Sequence, residues 1–197
     1  MPGEVEHYFR EIVTTYRSDV MYVYGLIRLI RTSYGKDDGF CAGVGIHYGE
    51  DNFRNRQVYL DEYYSVSSEF VNLKALQIAL NCVLEVWDDE NLGADIRRRR
   101  VEIRSSSKYA VNCLTRWWQT WQENDWITKK GNIVANKELI QDCLKLIELI
   151  NDNYDELRYD HIEIKWVART EYEGIICAED LAFDATEDGK GDSIYYY

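Results

Sequence analysis

The chain has 197 residues, which is enough for one domain with a sizeable core but too short for a second full domain. Apolar residues make up 46% and charged residues 29%, with a single proline, so disordered, collagen-like and low-complexity classes are excluded. No apolar run reaches the roughly 18 residues of a membrane helix, and the net charge of −12 argues against a general nucleic-acid binder. A soluble globular protein is expected.

The charge is unevenly distributed along the chain. Between Lys108 and Lys137, five basic residues face two acidic ones in a segment that also holds four tryptophans. The last twenty residues, in contrast, carry six acids and one lysine and end in three tyrosines. One local surface is therefore predicted to be basic and aromatic, whereas the tail is either disordered or suited to a partner with a basic groove.

The five cysteines indicate a reducing compartment. Their number is odd and their spacing wide, and most lie in apolar sequence, which is typical of reduced core thiols rather than disulfides or metal ligands. The start of the chain has three acids and no apolar run, unlike a secretory or mitochondrial presequence. We expect an intracellular protein of the nucleus or cytoplasm.

Hydrophobic periodicity predicts an α/β sandwich. Three strands with short links favour an antiparallel meander, and period-two and period-3.6 segments then alternate. The predicted strands are Val20–Ile27, Cys41–Tyr48, Gln57–Ser65, Val101–Arg104 and His161–Val167, and the helices are Ser68–Asp88, one capped by Ser105–Ser107, one from Asn136 and Gly174–Ala185. The order βββαβαβα predicts a mixed five-stranded sheet with helices on both faces. Residues 1–19 are predicted to be a helical N-terminal extension, 20–185 the domain and 186–197 an acidic tail.

Generic catalytic motifs are scarce. The three histidines have no metal-ligand spacing, and Gly43 and Gly45 lie inside a strand rather than in a phosphate loop. Ser105 and Lys108 match a serine-hydrolase pattern, but its partners are missing and a helix cap explains the serines better. The arginines at 97–100 are either a solvated edge or a contact for an acidic partner.

Specific local sequences nevertheless resemble the cellular (type 1) ribonuclease H family. They include GVGIHYGEDNFRN from Gly43, Ser107-Lys108-Tyr109, the tryptophans at 117, 121 and 126, NKEL from Asn136, KWV from Lys165 and AEDLA from Ala178. The resemblance runs through residues 20–185 in the family's order. It implies the ribonuclease H fold and an ancestry in two-Mg²⁺ cleavage of RNA in RNA–DNA hybrids, in which carboxylates hold the two ions.

The family's carboxylates are mostly missing from this chain. The resemblance assigns its four acidic positions to Tyr24, Asn72, Ser106 and Glu179, so one acid of four remains. A phenol is neutral near pH 7, and an amide or hydroxyl carries no charge. Glu69 lies one helical turn before Asn72, and Asp180 is rotated by about 100° from Glu179 around the helix axis. Neither acid is therefore placed to substitute for a missing ligand. We expect no metal cofactor and no metal-dependent cleavage.

Hybrid binding is a separate question, because the family grips its substrate with other residues. The resemblance carries over the weak candidates Tyr109, Trp117, Trp121, Lys129, Lys130 and Asn136. In place of the family's phosphate-binding segment this chain has Ser65–Glu69. Two lysines of the family's basic handle, which corresponds to the segment from Trp117 to Asn136, are replaced by Gln122 and Glu123, and this loss of positive charge weakens an electrostatic interface. Trp117 and Trp121 also suit a purely structural anchor, and Asn136 a helix N-cap.

Two functions remain open from the sequence. The first is a catalytically inactive ribonuclease-H-like pseudoenzyme that serves as a scaffold for protein partners, with an ancestry in RNA or genome metabolism. The second is a non-cleaving binder of RNA–DNA hybrid or double-stranded RNA through the aromatic and basic handle. Neither involves a membrane.

Overall fold

The computed structural model describes residues 19–30, 39–60, 67–88, 100–152 and 162–188. Five strands form one sheet in the order β3-β2-β1-β4-β5. The strands are β1 (Asp19–Ile30), β2 (Gly39–His47), β3 (Arg56–Leu60), β4 (Val101–Ser105) and β5 (Ile162–Trp166). None of the helices in these ranges is long and apolar enough to cross a membrane.

The strand pairing has an antiparallel half and a parallel half. β1 pairs antiparallel with β2, and β2 with β3, because both connections are short. β1 and β4 run parallel, as do β4 and β5, because a helical connection separates each pair along the chain. The predicted mixed five-stranded sheet and its N-terminal meander are therefore confirmed.

The helices are α1 (Ser68–Asp88), α2 (Lys108–Asn112), α3 (Trp118–Glu123), α4 (Lys137–Asp152) and α5 (Glu173–Asp188), with a π-helical segment at Cys113–Trp117. α1 and α4 pack together over one face of the sheet, and α5 covers β1, β2 and β3 on the other. The core is aliphatic: Val23, Val44, Leu73, Leu76 and Ile103 are completely buried. The prediction of helices on both faces is confirmed.

Several predicted boundaries shift in the structure. α1 has the predicted bounds, and Ser107 is the predicted cap, since its side chain accepts a hydrogen bond from the Ala110 amide at 3.3 Å. β1 continues to Ile30 and α5 to Asp188, beyond the predicted ends, because apolar or amphipathic sequence continues there. Of the predicted N-terminal extension, 1–19, all but Asp19 lies outside the described residues, as does the part of the predicted tail, 186–197, that follows Asp188. All five cysteines are free thiols, as predicted.

Candidate active site and aromatic row

The four positions that the resemblance assigns to the family's acids lie around the middle of β1. Val23 pairs with Ser105 in parallel register, so Tyr24 and Ser106 are the next residues on adjacent strands. Gly25 lies against α1 so closely that a Cβ added there would stand 2.8 Å from the Val71 carbonyl oxygen, which brings Asn72 to the same place. Glu179 on α5 contacts Tyr24 through a side-chain hydrogen bond. These neighbours place the backbone of the four positions around the middle of β1, and Tyr24 and Glu179 are in side-chain contact.

The three uncharged residues at this site are engaged in ordinary structural contacts. The Asn72 amide donates a hydrogen bond to the Ser68 carbonyl, 2.8 Å away and one turn earlier in α1. The Ser106 carbonyl accepts a hydrogen bond from the Trp166 indole at 3.1 Å. Burial, helped by the charge of Glu179, raises the pKa of the Tyr24 phenol above its usual value. Tyr24 therefore carries no charge near pH 7.

A guanidinium neutralises the remaining acid. Arg169, in the loop between β5 and α5, donates a hydrogen bond from Nε to the Glu179 carboxylate at 2.5 Å. The Glu179 side chain is only 20% exposed, whereas that of Arg169 is 59% exposed, so only the carboxylate end of the pair is shielded from water. Reasoning from the sequence missed this contact. The sequence does contain a signal for this contact: the loop before α5, the helix that carries Glu179, has one basic residue, Arg169.

The loop that carries Arg169 is held at a second point. The Arg104 guanidinium lies over the rings of both Tyr22 and Tyr172, 5.4 and 4.7 Å from their centroids. It also donates a hydrogen bond to the Tyr22 hydroxyl at 2.9 Å. A strand residue thus anchors Tyr172 while Glu179 anchors Arg169, and the two contacts fix the loop against the sheet and α5.

These residues do not fit a pair of divalent cations. Mg²⁺ needs several hard, preferably anionic, oxygen ligands, whereas a phenol, an amide that is already bonded and one carboxylate paired with arginine surround this position. Within the part of the chain that the structure describes, no three His, Cys, Asp or Glu side chains are grouped as metal ligands. Of the two nearby acids, Glu69 accepts a hydrogen bond from the Ser68 hydroxyl at 3.2 Å, and Asp180 lies on the exposed face of α5.

The aromatic candidates form a continuous row. Tyr109 contacts Trp117 edge-on with ring centroids 6.0 Å apart, and Trp117 contacts Trp121 at 5.8 Å. The row ends at Trp126, 6.1 Å from Trp121. Trp126 is buried and adopts a left-handed φ of 60°, and reasoning from the sequence gave it no place in this row. The partial exposure of Trp117, 40%, leaves its ring accessible to a ligand.

The π-helical segment explains how Tyr109 and Trp117 reach each other. In a regular α-helix, residues eight apart diverge by about 80°. The segment Cys113–Trp117 has the i to i+5 hydrogen bonding of a π-helix, which turns through a smaller angle per residue. This smaller turn brings Trp117 back towards the side of Tyr109. The helix predicted after the Ser105–Ser107 cap is present, and its continuation at Cys113–Trp117 is π-helical, which forms the aromatic row.

The remaining handle candidates lie at the two ends of the row. Asn136 lies beside Tyr109. Burial is the main cause that raises the pKa of Tyr109 to about 12, whereas a hydrogen bond with Asn136 lowers it. Asn136 precedes α4, and its carbonyl accepts the Ile140 amide at 2.9 Å, but its φ of 59° is left-handed rather than extended as in an ordinary N-cap. Lys129 and Lys130 are in a tight turn closed by a 2.8 Å bond from the Gly131 amide to the Thr128 carbonyl, and Lys130 is exposed.

Solved structures with the same architecture define the class of protein. LC9-RNase H1, a type 1 RNase H, aligns over 89% of this chain and 76% of its own, with a TM-score of 0.55 and 20% identity. The RNase H domain of PFV aligns over 86% of this chain and 94% of its own, with a TM-score of 0.60 and 14% identity. The fold is that of a ribonuclease-H-like domain.

Sequence comparison then shows the family. The RNase H family model matches residues 32–167. Ribonuclease HI of Haemophilus ducreyi is 37% identical over 152 residues, which is 72% of this chain and 82% of that protein. The chain belongs to the RNase H family.

Two other relatives are matched over a smaller share of their length. The probable ribonuclease H of Acanthamoeba polyphaga mimivirus is 26% identical over 117 residues, and the ribonuclease H of Schizosaccharomyces pombe 31% over 121. These alignments cover 59% and 61% of this chain but only 48% and 39% of the two relatives. The chain thus spans about half or less of these proteins.

Proposed function

We propose that this protein is a catalytically inactive member of the RNase H family that acts as a protein-interaction or scaffold subunit inside the cell, in the nucleus or cytoplasm. The observation that carries the catalytic part is the contact between Arg169 and Glu179, the one acid kept among four positions. The Arg169 guanidinium supplies positive charge beside this acid, where the family places metal ions. Loss of three like charges also removes the repulsion that such a cluster suffers when it holds no ions.

The scaffold role is supported by what the fold retains. The sheet, the core and the loop anchors are intact although the catalytic chemistry is missing, which favours use of the domain as a rigid platform. Five free thiols suit a reducing compartment. The family's ancestry makes complexes of RNA or genome metabolism the natural setting.

The replacement of three carboxylates predicts no Mg²⁺- or Mn²⁺-dependent cleavage of an RNA–DNA hybrid. The purified chain is incubated with an end-labelled hybrid and either ion, and products are resolved on a denaturing gel. No product above background is expected, because no position around Tyr24 supplies the charge to hold a metal pair. Cleavage that Glu179→Gln abolishes, while the matched variant Asp180→Asn retains it, would overturn the proposal.

A second candidate function rests on the aromatic row. Exposed aromatic rings stack on bases without regard to sequence, and cations nearby bind phosphate. Tyr109, Trp117 and Trp121 form a row in which Trp117 is exposed and the other two rings are partly buried, with Lys129 and Lys130 in the same handle. This arrangement favours a non-cleaving binder of RNA–DNA hybrid or double-stranded RNA as the alternative.

Gel shifts across a salt series separate the two functions. If the handle binds hybrid, affinity should fall as salt rises, and the Trp117→Ala/Lys130→Glu variant should lose about tenfold or more. The matched control is Leu149→Ala/Lys145→Glu, which alters an exposed apolar residue and an exposed lysine on α4. No salt-sensitive shift at protein concentrations of about 10 µM would leave the scaffold role as the only candidate.

A further inference from the structure

Two separate surfaces carry exposed apolar side chains together with charge of one sign. Among the described residues, nine large apolar side chains are exposed, and four of them are Ile127, Ile133, Ile176 and Phe183. The first two flank Lys129 and Lys130 in the segment Ile127–Ile133, here called the handle hairpin. The other two lie on α5 among acids. Burial of such side chains against a partner is favourable in proportion to the apolar area covered.

The handle hairpin is a rigid, cationic projection. Ile127 and Ile133 form a β-bridge, and the Thr128 amide donates to the Asn132 carbonyl at 2.8 Å. Ile127 is 46% and Ile133 72% exposed, although they face each other across the bridge. Because these bonds already fix the turn, docking would cost little conformational entropy. Nucleic-acid binding requires the lysines but gives no reason for two exposed isoleucines.

The outer face of α5 has the opposite charge. Its exposed residues are Glu173, Ile176, Asp180, Phe183, Asp184 and Glu187, which lie within about 100° around the helix axis. The helix contains no lysine or arginine. Arg28 of the same chain already binds at one end of this face, with its guanidinium 4.3 Å from the Phe183 ring centroid and paired with Glu187. The face can therefore hold a cation beside an apolar side chain.

The two surfaces are complementary but cannot meet within one molecule. α5 packs on β1, β2 and β3, whereas the handle joins α2 to α4, which lie on the opposite side of the sheet with α1. A second copy can bring them together. We propose that the protein self-associates head to tail, with the handle hairpin of one copy seated on the outer face of α5 in the next. Such a heterologous contact leaves a free surface at each end and builds open chains.

The size of the two surfaces sets the expected strength. A hairpin on one helix face falls at the small end of specific interfaces, where complexes are transient. The net charge of −12 on each copy also opposes association, so the local attraction must outweigh a general repulsion. Dissociation constants of about 10–500 µM are expected at physiological salt. The weight-average mass should therefore rise above the monomer, and past the dimer, over this concentration range.

Sedimentation equilibrium of the full chain tests the apolar part of the contact. Ile133→Asp should weaken association about tenfold or more, since it places a like charge against the acidic face. The control is Leu149→Asp, which introduces the same charge at a 48% exposed site on α4 and should leave association unchanged. A monomer mass at every concentration, or equal association of wild type and Ile133→Asp, would refute the proposal.

Reversal of charge tests the pairing of the two surfaces. Lys129→Glu/Lys130→Glu and Asp180→Lys/Asp184→Lys should each associate about tenfold more weakly than wild type. An equimolar mixture of the two variants should regain association, because the reversed hairpin then faces a reversed helix. Failure of the mixture to regain mass means that these surfaces do not pair. If Lys129→Glu/Lys130→Glu loses its binding to hybrid but self-associates as wild type does, the handle binds nucleic acid and the proposal of self-association is wrong.

Self-association is independent of the proposed loss of catalysis. The measurements are made in chelator and without nucleic acid, so cleavage plays no part in the result. A chain that cleaves hybrid could still self-associate, and an inactive chain could remain monomeric. The two failures are thus distinguishable.

Discussion

Restoring the three missing carboxylates should give the chain a divalent-metal site. In the variant Tyr24→Asp/Asn72→Glu/Ser106→Asp with Arg169→Ala, four acids would surround the middle of β1, because the backbone positions already converge there. Without metal, their mutual repulsion should lower stability below wild type. With Mn²⁺ at about 100 times its dissociation constant, binding should add about 2.7 kcal/mol, and the melting temperature should rise by about 5–11 °C. Differential scanning fluorimetry with and without Mn²⁺ measures both effects.

The amide counterpart of this variant is its control. Tyr24→Asn/Ser106→Asn/Arg169→Ala, with Asn72 changed to Gln, has similar side-chain volumes but no added charge, so Mn²⁺ should leave its melting temperature within about 1 °C. The carboxylate variant should also gain Mn²⁺-dependent cleavage of hybrid, which the amide variant should lack. An equal metal response of the two variants would mean that the four positions do not share a site. Wild type should respond to neither Mg²⁺ nor Mn²⁺.

The fold was largely predictable because it depends on local periodicity. Apolar residues at helical spacing define α1 with its observed bounds, and short links between alternating strands require the antiparallel meander. Ser107 was found as a cap because serine at that position satisfies a free backbone amide. These features are decided by neighbours in sequence, so no tertiary information is needed to find them.

The features that were missed depend on contacts between distant segments. The π-helical winding at Cys113–Trp117 is encoded by no local pattern of the sequence. The contact of Arg169 with Glu179 joins a loop residue to a helix residue that lies ten positions later in the chain. The left-handed φ at Trp126 is likewise not a matter of propensity, because tryptophan rarely adopts it, whereas asparagine, as at Asn136, adopts it more readily. The positions of the candidate site were predictable, whereas the cation that occupies it was not.

The position of α5 depends on two glycines in β2. A Cβ added at Gly45 would stand 1.9 Å from the Ala178 carbonyl oxygen, and one at Gly43 would stand 2.2 Å from that of Ala182. Both alanines are completely buried, so the helix backbone lies directly on the strand. This close approach brings Glu179 to Tyr24, and it also orients the acidic outer face away from the sheet. The site and the proposed docking surface thus depend on the same contact.

Gly45→Ala should therefore destabilise the protein strongly. Alanine normally stabilises a strand relative to glycine. Here, however, its methyl group would overlap a backbone atom and force α5 away from β2. We expect a loss of about 3 kcal/mol or more in the free energy of unfolding, measured by urea denaturation. Gly131→Ala is the control: its φ of 80° strains alanine, but nothing lies within 4 Å, so a loss of only about 1 kcal/mol is expected.

A second substitution separates a backbone overlap from a side-chain overlap. Ala178→Gly removes a buried methyl group but leaves the carbonyl oxygen in place, so it should not rescue Gly45→Ala. The double variant should lose a further amount of about 1 kcal/mol, as glycine weakens a helix interior. Recovery of stability in the double variant would show that α5 approaches β2 through its side chains. In that case the position of Glu179 beside Tyr24 would not be fixed by the glycines.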